Sequence, residues 1–154
     1  MGIEKDINQT SFKNEYQKGL INLIYTCNWV TEKLKQVFNK EGLTMQQFNI
    51  LRILRGSPTA LSTMQIRERM LDKMSDTSRI VDRLVLKGLT KKGVCKSDKR
   101  LVDVTITDKG KKLLQKMEKY ESDIEGILKN LSESEAKTFN KLLDKTRQPI
   151  NTPS

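Results

Sequence analysis

The sequence predicts a mainly α-helical fold carrying one small β-hairpin, and three observations lead there. Apolar residues recur at helical spacing through both ends of the chain. Three Ser/Thr-x-x-Gln/Glu boxes mark helix starts between them. One stretch, Leu101 to Ile106, switches to the alternation of β-branched residues that suits a strand. The length of 154 residues favours one domain, or one domain plus an appended element. With 36% hydrophobic and 31% charged residues, the core is modest and the surface heavily charged.

Residues 1 to 10 lack periodicity and are expected to fray. From Tyr16 the apolar positions Leu20, Leu23, Ile24, Cys27, Val30, Leu34, Val37 and Phe38 keep helical spacing until near Gly42. So long a helix in so small a chain cannot bury its whole stripe alone and invites a partner chain. Thr44 with Gln47 opens a second helix, stapled by Leu43 and Phe48, with Phe48, Leu51 and Leu54 inward and Gly56-Ser57-Pro58 as its stop. Ala60-Leu61 is a short extended candidate. Ser62 or Thr63 then caps a third helix, with Ser62 and Gln65 making a second box and Ile66, Met70 and Leu71 inward. After a break at residues 72 to 75, a fourth helix spans about 74 to 87 and closes at Gly88.

Leu89 to Lys92 and Leu101 to Ile106 read as two strands around a charged turn. Thr107 caps a fifth helix with the stripe Leu113, Met117, Tyr120, Ile124 and Ile127, and Asp108 sits in its first turn. Ser132 with Glu135 opens a sixth, with Phe139, Leu142 and Leu143 inward, and Pro149 begins a polar tail. The layout is a helix-turn-helix with a wing, framed by helices with surplus apolar surface.

Composition removes several function classes. Without histidine there is no His general base, no His-centred triad and almost no route to a zinc enzyme. Cys27 and Cys95 stand 68 positions apart, so no paired-Cys metal motif exists, and the count suits a reduced cytosol. No Gly-rich phosphate loop or recognisable carboxylate pair supports an enzyme. The longest charge-free run, Gly19 to Thr31, is 13 residues, and a membrane span needs about 20.

The formal charge is +10, from 29 Lys+Arg against 19 Asp+Glu, and it is not evenly spread. Residues 73 to 112 hold 12 basic and five acidic groups, a net of +7 on the fourth helix and the hairpin. On a helical wheel Thr77, Ile80, Val81 and Leu84 share one side, while Ser75, Ser78, Arg79, Asp82 and Arg83 share the other. Small hydroxyls beside arginines suit the DNA major groove, where Arg forks onto guanine O6 and N7. In the hairpin, Lys91, Lys92, Lys96, Lys99 and Arg100 surround a loop able to reach the backbone or a narrow minor groove. Asp98, two residues before Arg100, is placed to pair with its guanidinium and fix the loop.

The stretch Asp98-Lys99-Arg100-Leu101-Val102-Asp103-Val104-Thr105-Ile106-Thr107-Asp108-Lys109-Gly110 resembles the wing signature of the MarR (multiple antibiotic resistance regulator) family, D-x-R-x-x-x-V-x-L-T-x-x-G, with only its Leu changed, to Ile106. Ser78 to Leu84 and Lys87-Gly88-Leu89 resemble that family's recognition helix and its exit. The similar layout covers roughly residues 15 to 145.

The resemblance implies a cytoplasmic homodimeric winged helix-turn-helix regulator, usually a repressor, that binds double-stranded DNA at a pseudo-palindromic operator. It implies recognition-helix contacts from Ser75, Thr77, Ser78, Arg79 and Arg83. The wing contacts would come from Lys91, Lys92, Lys96, Asp98, Lys99 and Arg100, with Arg100 in the minor groove and Asp98 holding it. The first and last two helices would form the dimer through Leu20, Ile24, Ile127, Leu131, Phe139 and Leu142. A small aromatic or anionic effector would release the DNA; no metal or other cofactor is implied. The corresponding boundaries are residues 1–42, an N-terminal dimerisation helix; 43–108, the DNA-binding domain; 109–148, C-terminal dimerisation helices; and 149–154, the tail.

Two positions depart from the family pattern: Arg67 stands where a small residue is usual, and the turn Leu71-Asp72-Lys73-Met74 lacks the common Gly. Either Asp72 or Ser75 then caps the fourth helix. A thiol-sensing member of the same family is the alternative, since Cys27 lies near Tyr16 and Tyr25 as in its organic-hydroperoxide sensors. A Cys on an apolar stripe is more often a small core residue. Cys95 among lysines is a weaker thiol candidate. A winged-helix adaptor that binds protein instead of DNA is a more distant alternative.

Overall fold

A computed structural model describes residues 2–150. Of the expected polar tail, residues 151–154 lie outside the described residues. The chain divides into two compact units, residues 1–120 and 121–154.

The first unit opens with a one-turn helix, α1 (Ile3–Asp6), where fraying was expected. Ile3 is buried and Glu4 is ion-paired with Lys18, long-range ties that periodicity does not reveal. Helix α2 (Glu15–Asn39) is capped by Asn14, whose side chain accepts from Gln17 N at 2.9 Å. Only Val37 and Phe38 of its stripe are buried; Leu20, Leu23, Ile24, Tyr25 and Trp29 are exposed. Cys27 is exposed as well, so it is not a core residue of this chain.

Helix α3 (Met45–Gly56) begins in the expected reciprocal box, with Gln47 N on Thr44 Oγ1 at 3.1 Å and Thr44 N on Gln47 Oε1 at 3.2 Å. Its buried face is Gln47, Ile50, Leu51 and Leu54. Phe48, expected inward, is half-buried, because it turns aside to meet Phe38 with ring centroids 4.7 Å apart. This helix is the core's centre, packing on α2, on the helices α4, α5 and α6 and on strand β3, described next.

Strand β1 (Leu61–Ser62) runs into α4 (Thr63–Arg69), which starts with the Ser62–Gln65 box. Ile66 and Met70 are buried as expected, but Leu71 is 82% exposed. The helix stops at Arg69 with Met70 already extended, so its period does not carry to Leu71. Arg67 is exposed, and its bulk therefore displaces nothing in the core.

Helix α5 (Thr77–Leu86) starts later than expected and is capped by Asp76, which accepts from Arg79 N at 3.2 Å. Neither Asp72 nor Ser75 is the cap: Asp72 Oδ1 accepts from Met74 N at 3.0 Å and shapes the preceding turn instead. Thr77, Val81 and Leu84 form the buried face. The helix ends at Gly88, whose φ of +72° is a left-handed conformation that glycine adopts without Cβ strain.

Strands β2 (Thr90–Val94) and β3 (Val102–Ile106) pair antiparallel from Thr90–Ile106 to Val94–Val102. The extended candidate at Ala60-Leu61 is strand β1, Leu61–Ser62, and it adds a third strand through Leu61–Val104, giving the order β1-β3-β2. Helix α6 (Asp108–Met117) is capped by Thr107, as expected. Met117 is buried as expected, but Leu114 takes the core position expected of Leu113, which is only half-buried. Nor does the helix run on to Ile127: it tightens into a 3₁₀ turn, Glu118–Tyr120. Because α6 packs on α3, residues 109–120 belong to the first unit rather than to a separate C-terminal one.

The tightened turn gathers partners around Glu41, just after α2. Its carboxylate receives Lys116 Nζ at 2.7 Å, Tyr120 OH at 2.8 Å and Lys119 Nζ at 3.2 Å, with its own side chain only 8% exposed. From the opposite side of the same turn, Lys87 Nζ donates to Gly42 O at 2.7 Å and Gln47 Oε1 at 3.2 Å.

In the second unit, α7 (Glu121–Gly126) and α8 (Glu133–Thr146) contain no buried residue. The Ser132–Glu135 box caps α8. Phe139 and Leu143 are half-buried, whereas Leu142, expected inward, is exposed.

Two substitutions test this packing. A Cβ on Gly110 would lie 2.3 Å from the Leu89 carbonyl oxygen and 2.7 Å from Ile106 Cγ1. Gly110→Ala is therefore expected to lower stability in urea unfolding by about 1–3 kcal/mol; an unchanged midpoint would show that α6 sits loosely on the hairpin. The Lys116, Tyr120 and Lys119 hydrogen bonds hold the Glu41 carboxyl at about 2, down from 4.5. A depressed carboxyl stabilises the fold above its unfolded value and loses that contribution as pH falls toward the folded one. Stability is thus expected to decline between pH 4.5 and about 2, and Glu41→Gln to flatten that decline in denaturation at stepped pH. Superimposable pH profiles would contradict the cluster.

Candidate nucleic-acid interface

The outward side of α5 carries Ser78, Arg79, Asp82 and Arg83, all exposed, opposite the buried Val81 and Leu84. Two expected contact residues on this helix stand elsewhere. Thr77 is 3% exposed and faces the core, so it leaves the set of candidate DNA contacts. Ser75 precedes the helix and is half-buried; its Oγ and that of Thr77 are enclosed without a hydrogen-bond partner.

The wing presents Lys91, Lys92, Lys96, Lys99 and Arg100 at exposed positions. Its tip is built by Asp98. One carboxylate oxygen accepts from Arg100 N at 3.0 Å and Arg100 Nε at 3.1 Å, and the other accepts from Arg100 Nη2 at 3.2 Å. The Asp98 carbonyl accepts from Leu101 N at 2.9 Å, and Cys95 N donates to Leu101 O at 3.1 Å, closing the loop. The Arg100 guanidinium, beside the backbone bond, holds the Asp98 carboxyl below its ordinary range. An exposed ion pair adds little stability. Its effect here is positional: a side chain 89% exposed is held in one direction.

A contact that sequence spacing did not reveal joins helix to wing: Lys92 of β2 is ion-paired with Asp82 of α5. Strand register decides it, because Lys92 pairs with Val104 and so projects from a fixed place beside the helix. The result is a basic surface in which α5, β2 and the wing tip have set positions. Beside it lies an open cleft of about 390 Å³ whose lining includes Lys91, Val94 and Cys95.

The expected dimer residues divide by unit. In the first, Leu20 and Ile24 are exposed on α2; in the second, Leu142 is exposed while Ile127, Leu131 and Phe139 are half-buried. Among the described residues, no helix is long and apolar enough to cross a membrane.

A short strand, a helix-turn-helix of α4 and α5, and a β-hairpin wing that pairs with that strand define a winged-helix protein. The sequence model of the MarR family matches residues 41–101. The transcriptional regulator PecS of Dickeya dadantii is 30% identical over 124 residues, 79% of this chain and 75% of the relative. A mutant MarR from E. coli, solved in complex with operator DNA, superimposes with a TM-score of 0.77 at 24% identity, covering 90% of this chain and all of that one. Bordetella bronchiseptica BpsR, whose DNA binding is regulated by 6-hydroxynicotinic acid, gives 0.69 at 23% identity, over 82% of this chain and 96% of that one. The chain belongs to the MarR family of winged-helix transcriptional regulators.

The wing tip yields a direct test. Asp98→Ala removes the acceptor of the Arg100 amide. Amide exchange at Arg100 is expected to speed up while global unfolding stays within about 0.5 kcal/mol of the parent, as for surface changes. Unchanged exchange at Arg100 would mean that the loop holds its shape without Asp98.

Proposed function

We propose that this chain acts as a homodimer that binds a pseudo-palindromic DNA operator and represses transcription until a small aromatic or anionic effector releases it. The observation that carries the reading is the outward face of α5, with Ser78, Arg79 and Arg83, set beside a wing whose Arg100 is aimed by Asp98. In the major groove Arg79 and Arg83 are suited to guanine edges and phosphates, and Ser78 permits close approach. Arg100 suits the negative potential of a narrow minor groove beside it.

The homodimer is supported by α2, whose exposed Leu20, Leu23 and Ile24 share one helix face. Two-fold pairing would set two recognition helices about 34 Å apart, one turn of DNA. The E. coli relative's complex with operator DNA supports the DNA partner, and BpsR's control by an aromatic acid supports the effector class. Thiol sensing through Cys27 has less behind it, since that residue lies on the same apolar face that dimerisation would cover.

Arg100→Ala is expected to weaken duplex binding about tenfold or more, as for a lost charge-assisted contact, while sedimentation still shows a dimer. Equal affinity in fluorescence anisotropy would remove the wing from the interface. Affinity should also fall steeply with salt, with a log–log slope of about −0.9 per phosphate contact. A flat salt dependence would favour a protein-binding adaptor.

A further inference from the structure

Just ahead of α5, one turn leaves two apolar side chains open to solvent. Between α4 and α5 the segment Leu71-Asp72-Lys73-Met74 leaves Leu71 82% and Met74 92% exposed, while Met70 just before it is buried. The exposure is imposed by structure. Leu71 N is tied to Asn49 Oδ1 of α3 at 2.9 Å, Met74 N to Asp72 Oδ1 at 3.0 Å, and Ser75 N to Asp72 O at 3.3 Å. The turn is therefore anchored to the central helix and holds its methionine outward, immediately ahead of α5.

The electrostatics at this edge differ from those of the wing. An uncapped helix N-terminus attracts phosphate, but here the carboxylate of Asp76 already occupies the cap. An anion at that point repels a DNA phosphate, so the leading edge of α5 is suited to the groove floor rather than the backbone. N-terminal residues of a recognition helix are the ones that meet base edges, and the apolar feature of the major-groove floor is the thymine C5 methyl.

We infer that Met74 is a specificity-determining residue that packs on a thymine C5 methyl at a defined position of each half-site, a step that rests on the DNA-binding reading above. An unbranched thioether adapts to a methyl without a fixed hydrogen-bond geometry. The surrounding arginines and lysines supply affinity; Met74 supplies a preference they lack.

The test uses the full chain and the duplex it enriches from random DNA. Each thymine is replaced singly by deoxyuridine, which removes the methyl and keeps the Watson–Crick face. At one thymine per half-site, the loss is expected to weaken binding about fourfold, the worth of one buried methyl-sized group. Met74→Ser should abolish that difference while keeping the response to guanine replacement, and Met74→Leu should retain it. The inference is overturned if no thymine is sensitive, or if Met74→Ser discriminates as well as the parent. Failure to enrich any sequence would instead overturn the DNA-binding reading, and this inference with it.

Discussion

The hydroxyl of Thr107 joins four elements at one point. It donates to the Gly88 carbonyl at 2.7 Å and accepts from Gly110 N at 3.1 Å, while Thr107 N donates to Leu89 O at 3.1 Å. The end of α5, the approach to β2, the end of β3 and the start of α6 thus meet around one residue. Gly88 makes this possible by turning through a left-handed φ, and Gly110 by leaving room for the Leu89 carbonyl. Each glycine serves the same junction from a different side.

The basic surface of α5 and the wing follows from that junction. With the base of the hairpin fixed to the exit of α5, strand register sets where Lys92 meets Asp82 and how far the wing tip stands from the helix. At the tip, Asp98 aims a single arginine. Lys87, at that same end of α5, donates to the turn after α2, and Glu41 in that turn binds Lys116 of α6 and Lys119 and Tyr120 just beyond it. The turn that links α2 to α3 is thereby in polar contact with the end of α5 and with α6.

Much of this was legible in the sequence where the signal is local. Capping boxes at Thr44, Ser62 and Ser132, the Thr107 cap and the hairpin all stand where spacing puts them. The Asp98–Arg100 pair, two residues apart, was equally readable. What escaped depends on contacts across the chain. The cap of α5 moved to Asp76 because Asp72 is used by its own turn, and Thr77 proved to face the core although its neighbour Ser78 does not. Leu114 replaced Leu113 inside, where α6 packs on α3, while Met117 is buried as expected. The Glu41 cluster and the Asp82–Lys92 pair join residues that no spacing rule connects. The resemblance to the MarR wing signature carried the functional expectation further than periodicity did, and its residues coincide with the junction at Thr107 and Gly110.

The proposed function assigns the apolar surface on α2 and the basic surface on α5 and the wing to one arrangement: two copies reading one duplex symmetrically. Hydroxyl-radical footprinting on the enriched duplex tests this most directly. The expected result is a two-fold symmetric pattern, with two protected half-sites centred about one helical turn apart and added minor-groove protection on their outer flanks, where the wings would lie. A single unsymmetric patch, or half-sites without flanking protection, would contradict it.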